Sequence, residues 1–137
     1  MHKGQCFCGK VSVEVTGEPE IMLYCHCESC RAWSAGPVNA AVLWKESSVK
    51  IITGSELIKT HNKTPGSTRS WCENCGGHIM NVHPSMGLID LYHAITPTLS
   101  FEPKMHVNTS ESVIVIKDDL PRFKDLPKEM GGSGDLL

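Results

Sequence analysis

Cys25-His26-Cys27-Glu28-Ser29-Cys30 sets the constraint that the rest of the chain must satisfy. Three thiols fall within six residues, too close together to be independent core residues. Members of such a run cannot readily bridge one another, because a disulfide needs Cα atoms about 4.4–6.8 Å apart with converging Cβ vectors. A tight turn can instead aim all three sulfurs at one point, as a zinc knuckle does. Zinc takes four protein ligands at a closed structural site, and three plus water or substrate at a catalytic one. The other four cysteines form two pairs, Cys6/Cys8 and Cys72/Cys75. The simplest partition of the seven thiols is therefore four plus three. Four close one metal site; three leave a second with one position, open to water or substrate or filled by a further protein ligand. His26 lies inside the run, and ligand cysteines on both sides are expected to turn its side chain outward.

Seven is an odd number of cysteines, so complete pairing in disulfides would strand one thiol. The N-terminus, Met1-His2-Lys3-Gly4-Gln5-Cys6, has no apolar stretch resembling a signal peptide, so a cytoplasmic location is expected, where disulfides rarely persist. Both considerations favour metal binding. At 137 residues the chain is expected to form one domain over residues 4–125, with 126–137 as a flexible tail ending in Gly131-Gly132-Ser133-Gly134. No run of about 18 apolar residues occurs, so no membrane partner is expected. A formal net charge of −2 and the lack of a Lys/Arg cluster argue against a nucleic-acid surface.

The pattern between the thiols is that of short strands. Val11–Val15 alternates apolar and polar residues, as a half-buried strand does, and Gly17-Glu18-Pro19 follows it. Ile21–Tyr24 leads into the three-thiol run, and Arg31–Ala35 has room for a helical turn before Gly36-Pro37. Val38–Trp44 is long enough for a central strand. Val49–Thr53 and Leu57–His61 flank Gly54-Ser55-Glu56, which predicts a hairpin. Asn62–Ser67 is expected as a loop, His78–Val82 and Leu88–Ile95 as strands, and Met105–Val107 and Val113–Ile116 as the last regular segments. Gly4–Gly9 reads as a turn carrying Cys6 and Cys8. Many short strands and no long amphipathic helix predict a mainly β fold.

A metal held by Cys6, Cys8, Cys72 and Cys75 would tie the first turn to a late one through a saturated shell, which is a structural role. Cys25, Cys27 and Cys30 can hold zinc with one position left over, and zinc keeps an incoming thiol as thiolate near neutral pH. Such a thiolate can attack a small carbonyl. Arg31 follows the run and is a candidate for pairing with a ligand carboxylate. Trp33 and Trp44 read as core; His61, His78, His83, His93 and His106 read as structural or solvated. No phosphate loop, serine nucleophile elbow or His-Glu-x-x-His motif is present.

Gln5-Cys6-Phe7-Cys8-Gly9, Cys25-His26-Cys27-Glu28-Ser29-Cys30-Arg31 and Trp71-Cys72-Glu73-Asn74-Cys75-Gly76 resemble, in order, the three cysteine motifs of the glutathione-dependent formaldehyde-activating family. Thr53-Gly54 and Leu120-Pro121-Arg122-Phe123 are similar to further landmarks of that family, so the resemblance covers about residues 4–125. It implies a β-tent of stacked antiparallel sheets stapled by zinc. It also implies two zinc ions per chain, a structural one on Cys6, Cys8, Cys72 and Cys75 and a second on Cys25, Cys27 and Cys30. Activity is implied as well: a carbon–sulfur lyase that joins glutathione and formaldehyde into S-hydroxymethylglutathione, with a small thiol and a small aldehyde as partners. Gly77-His78 departs from the family pattern, which often has Thr or Ser and then an apolar residue. Two other classes remain compatible with these residues, a non-catalytic zinc module for a protein partner or thiol carriage, and a metal-free thiol redox protein.

Overall fold

A computed structural model describes residues 1–137. Ten strands run in chain order as β1 (His2–Gln5), β2 (Ser12–Val15), β3 (Ile21–Cys25), β4 (Asn39–Lys45), β5 (Val49–Thr53), β6 (Ile58–Thr64), β7 (Ser67–Cys72), β8 (His78–His83), β9 (Leu88–Leu91) and β10 (His106–Val107). The one α-helix, α1 (Glu28–Ser34), lies between β3 and β4. The chain is thus mainly β with antiparallel sheets, as expected. No helix is long and apolar enough to cross a membrane. Contacts group the chain into two units, the first made of Met1–Glu20 and Val42–Ser100, the second of Ile21–Ala41 and Phe101–Leu137.

The first unit holds two antiparallel arrays. In one, β2 pairs with β1 on one side and β5 on the other. Val13 and Val15 of β2 are buried and Ser12 and Glu14 are not, so the period-two pattern read from the sequence describes the strand. In the other array, the end of β4 pairs with β9, followed by β8, β7 and β6. Trp44, Val42, Ile79 and Leu91 are completely buried there. Each such side chain stabilises the fold by about 1.5–3 kcal/mol. Asp90 is also buried, and its Oδ1 accepts the Val42 N–H at 3.0 Å. The outermost strand, β6, is exposed along nearly its whole length and carries Lys59, His61 and Lys63, polar residues that discourage pairing with a second sheet edge.

In the second unit β10 runs parallel to β3, with His106 opposite Tyr24 and Val107 opposite Cys25. The segment around Arg122 adds on beyond it: His106 N–H donates to Pro121 O at 2.9 Å, and Phe123 N–H to His106 O at 2.9 Å. Residues 126–137, expected as a flexible tail, carry a 3-10 turn at Lys128–Met130 and return to the chain. Lys124 N–H donates to Asp135 O at 2.8 Å, and Leu137 N–H to Arg122 O at 2.9 Å.

Several local expectations are corrected. Gly54-Ser55-Glu56 does not close a hairpin, because β5 pairs with β2 and β6 with β7. Gly54 (φ 78°) turns the chain from one array to the other while packed on backbone, and a Cβ there would lie 2.3 Å from Lys10 O. The real hairpin is β6–β7, whose strands consume most of the expected Asn62–Ser67 loop and leave Pro65-Gly66 as the connection. The strand expected over Leu88–Ile95 stops at Leu91, and His93–Ile95 is a 3-10 turn. Val113–Ile116 is not a strand: no partner strand takes it, and Val113 and Val115 stand 60% and 81% exposed. The helix starts at Glu28 and so includes Cys30. β1 was missed inside a stretch read as a turn.

Gly4, in that missed strand, sits against the Ile95 carbonyl, where a Cβ would fall 2.0 Å from the oxygen. Backbone must move to admit it, so Gly4→Ala should cost about 3 kcal/mol and lower the melting temperature by about 10 °C or more. Gly66 has nothing within 4 Å and no positive φ. Gly66→Ala should therefore change stability by less than about 0.5 kcal/mol. Thermal melts of the two variants check this, and equal melting temperatures would show that the contact at Ile95 does not constrain β1.

Candidate metal centres

The seven thiols form two groups, Cys6, Cys8, Cys72 and Cys75 in the first unit and Cys25, Cys27 and Cys30 in the second. Within each group the sulfurs all lie within 4.8 Å of one another. The four-plus-three partition of the sequence is therefore the spatial one.

Two similar turns build the four-thiol group. Cys6 N–H donates to Val11 O at 2.9 Å and Gly9 N–H to Cys6 O at 3.0 Å; Cys72 N–H donates to Gly77 O at 2.9 Å and Gly76 N–H to Cys72 O at 2.7 Å. Gly9 (φ 82°) and Gly76 (φ 73°) occupy the left-handed region, which glycine enters without steric cost. The turns meet at Gly77, where a Cβ would press within 3.2 Å of both Cys75 Sγ and Phe7 Cβ. Sulfur separations are 3.6 Å for Cys6–Cys8 and 3.9 Å for Cys8–Cys72. A tetrahedral shell with metal–sulfur bonds of about 2.3 Å has edges of about 3.8 Å, so this donor set fits zinc.

Donors already point at these sulfurs. The N–H groups of Val11 and Gly77 reach Cys6 and Cys75 at 3.4 Å each, and Asn74 Nδ2 reaches Cys8 at 3.3 Å. The Asn74 hydrogen bond, with a backbone N–H, holds the Cys8 thiol down at about 6. At Cys6, burial pushes the pKa upward, but the Val11 N–H helps bring it below the usual value. Burial pushes Cys72 up to about 11.

The three-thiol group is assembled by the end of β3 and the start of α1. Cys27 is the helix N-cap, its Sγ accepting the Cys30 N–H at 3.2 Å and its carbonyl the Arg31 N–H at 3.1 Å. Glu111 Oε1 takes the Glu28 N–H at 3.1 Å, placing a carboxylate at the positive end of the helix. Asn108, in the left-handed conformation after β10, directs Nδ2 to Cys25 Sγ at 3.5 Å. Cys30 is buried, while Cys25 and Cys27 are half-buried. The close sulfurs of Cys27 and Cys30 raise the pKa of Cys25 strongly, as expected where three thiols cannot all ionise without a cation among them.

No His, Asp or Glu joins the three sulfurs. His26 does not point outward as expected: it is fully buried, and its Nε2 lies 2.8 Å from His106 Nδ1. His106 is equally buried, with Nε2 at 2.9 and 3.1 Å from the two Asp118 oxygens, and Arg122 pairs with Asp118 at 3.3 Å. Desolvation is the main cause that lowers the His26 pKa, and Arg122 and Arg31 push the same way. Arg31 spends Nε on His26 O at 3.1 Å and Nη2 on Glu111 O at 2.9 Å. Sequence reasoning missed His106, Asp118, Asn74 and Asn108 as supports. For Asp118 a signal existed in the nearby Leu120–Phe123 landmark; Asn108 had none.

A cavity of about 790 Å³ opens in the first unit, with Gln5, Cys6, Ser12, Ile52, His78 and Ile95 in its walls. None of the three-thiol residues lines it.

Comparison with known proteins places this geometry in context. A family model described as glutathione-dependent formaldehyde-activating enzyme matches residues 1–111. An uncharacterized lyase of Schizosaccharomyces pombe is 28% identical over 75 residues, which are 55% of this chain and 53% of that protein. The chain thus matches about half the length of that relative. A crystal structure of a Rhodobacter sphaeroides protein superposes with a TM-score of 0.60 over 72% of this chain and 90% of the other, at 22% identity, a likeness of fold.

Metal binding at either group must displace thiol protons, so affinity rises with pH. The four-thiol group contains two thiols held below their usual value beside one, Cys72, pushed up, whereas in the three-thiol group the neighbouring sulfurs push Cys25 strongly upward. Acidifying zinc-loaded protein from about pH 8 towards about pH 5.5 should therefore release the three-thiol metal first. A chromophoric chelator, read alongside Cys27→Ser protein, follows the release. Loss of both metals in one step, or of the four-thiol metal first, would overturn this ordering.

Proposed function

Because the chain belongs to the glutathione-dependent formaldehyde-activating enzyme family, we propose that it is a zinc-dependent carbon–sulfur lyase acting on the adduct of glutathione, or another small thiol, with formaldehyde or a related aldehyde. The observation that carries this reading is the unequal donor count: one group of four sulfurs, which saturates zinc, and one of three, joined by no other protein ligand. Cys25, Cys27 and Cys30 would hold the zinc, which would supply the charge that keeps a substrate thiol ionised near neutral pH. Addition forms a sulfur–carbon bond and moves the carbonyl π pair to oxygen, which takes up a proton as the thiol gives one up. Cleavage reverses these movements. The S. pombe relative carries the name of a lyase, which supports the reaction class.

The residues of this chain hold and orient. Cys25, Cys27 and Cys30 fix the catalytic metal on a turn locked at both ends, by the β3–β10 pairing and by the α1 N-cap. Arg31 is assigned to a carboxylate of the thiol ligand through the guanidinium N–H groups left after its bonds to His26 O and Glu111 O. Cys6, Cys8, Cys72 and Cys75 hold the structural zinc. A second reading, a non-catalytic zinc module for a protein partner, is favoured by the exposed apolar run of Val113, Ile114 and Val115, which Ser112 separates from Glu111.

Calorimetry on zinc-loaded protein separates the two. Glutathione should bind, and S-methylglutathione should bind at least about tenfold more weakly, since it has no thiol to ionise. Equal affinities remove the metal–thiolate step; absence of binding by both favours the protein-partner module. Mild chelation should remove about one metal per chain, abolish glutathione binding and leave the circular dichroism unchanged, because the three-thiol site draws its ligands from one short turn. Departure of both metals together with loss of structure would refute this division of roles.

A further inference from the structure

The polar chain behind the three-thiol turn runs Arg122, Asp118, His106, His26, with each link at hydrogen-bond distance. An ionised carboxylate only accepts, so the His106 Nε2 that meets both Asp118 oxygens must carry hydrogen. With a single hydrogen on the His106 ring, its Nδ1 is a lone pair, and the atom facing it at 2.8 Å, His26 Nε2, donates. By the same rule His26 Nδ1 is an acceptor. That atom is enclosed and has no protein partner, although the ring as a whole is completely buried.

Packing keeps this arrangement in place. The His106 ring stacks on Tyr24 with centroids 4.9 Å apart, and Phe101 meets Tyr24 edge-on at 5.3 Å. The His26 and His106 rings lie 5.1 Å apart at 28°. Arg122 Nη2 also bonds Ile116 O, which anchors the guanidinium beside Asp118. Main-chain atoms of His26 are committed too, its N–H to Val107 O at 3.1 Å and its carbonyl to Arg31 Nε at 3.1 Å. Two elements, β10 and α1, therefore hold the one residue that separates Cys25 from Cys27.

We infer that Asp118 and His106 are positioning residues which, through hydrogen bonds relayed to His26, fix its ring as the Nε2–H tautomer and so hold Cys25 and Cys27 in metal-binding geometry. The inference rests on the three-thiol metal site proposed above and not on the reaction carried out there. It differs from a packing role because it depends on the direction of the hydrogen bonds as well as on volume.

Asp118→Asn tests this with little change in shape. Leu120 N–H (3.1 Å) and Arg122 Nη2 (3.3 Å) both donate to Asp118 Oδ1, so the amide oxygen takes that place, 3.1 Å from His106 Nε2, and the NH₂ takes the nearer Oδ2 place, at 2.9 Å. A donor there makes His106 Nε2 an acceptor, moves its hydrogen to Nδ1 and forces His26 to accept at Nε2. Both rings reverse tautomer, as happens when the triad aspartate of a serine protease is replaced by asparagine.

Imidazole ¹⁵N chemical shifts of full-length protein at about pH 7.5, assigned with His→Gln variants, read the tautomers directly. The unsubstituted protein should show both His26 and His106 as Nε2–H, and Asp118→Asn should show both as Nδ1–H. Cobalt titrations, followed by the sulfur-to-metal charge-transfer band, should show the three-thiol site weakened about tenfold or more in Asp118→Asn, with the four-thiol site as an unchanged internal standard. An Nδ1–H or doubly protonated His26 in the unsubstituted protein overturns the inference even if the variant does not fold. So do unchanged shifts in Asp118→Asn, cobalt affinity at the three-thiol site within twofold of the parent, or equal weakening at both sites. If the parent protein binds no second metal, the proposed function fails instead, and the tautomer measurement still decides this inference.

Discussion

Convergence of thiols is the constraint on which the rest of this structure depends. Four sulfurs within 4.8 Å of one another cannot all ionise without a cation, and cannot be left as idle thiols without wasting the donors aimed at them. Cys8 and Cys72 are 64 positions apart, so their meeting joins the turn after β1 to the turn after β7. The glycines serve this meeting. Gly9 and Gly76 give the two turns their left-handed corner, and Gly77 lets one turn lie on the other. The first unit can be understood as the framework that brings these turns together, with Val13, Val15, Ile79 and Trp44 supplying the burial that holds the strands in register.

The two thiol groups differ in how they are built, and the difference maps onto the proposed division of roles. In the four-thiol group, Cys6 and Cys72 are buried, at 2% and 0% exposure, and the ligands come from distant parts of the chain. Losing a metal bound there would mean opening strands. In the three-thiol group all ligands come from six consecutive residues, two of them half-buried, and the turn is held by hydrogen bonds from α1, β10 and the Asp118 region. Metal at such a site can exchange without disturbing the sheets, provided something other than the metal maintains the turn.

What the sequence revealed follows from the range over which its signals act. Spacing within a few residues reports local geometry, so the three-thiol run, the paired cysteines and the alternation of Val11, Val13 and Val15 were legible, and so was the mainly β class. Partners at long range were not. His26 was expected to point outward because only its neighbours Cys25 and Cys27 could be considered; the residue that captures its ring, His106, is 80 positions away. The Gly54 connection looks like a hairpin because two apolar runs flank a turn, yet pairing is decided by β2 and β7, which the local pattern does not contain. Val113–Ile116 has the composition of a strand and no strand beside it, so intrinsic β preference went unrealised.

Burial of the His26–His106–Asp118 chain has a cost that a purely structural turn would not need to meet. Two imidazoles are removed from water, and one of their four ring nitrogens is left without a protein partner. An apolar pair of similar volume would pack without that penalty, since polar groups in a core stabilise only when every donor and acceptor is matched. A directed polar chain in place of an apolar contact is therefore hard to explain by stability alone. What it provides is orientation: stacked, hydrogen-bonded rings resist rotation, and the rotation they resist is that of the residue between two of the clustered thiols. The three-thiol turn is thus held in shape by the protein itself, which would leave a metal bound there free to take an external ligand.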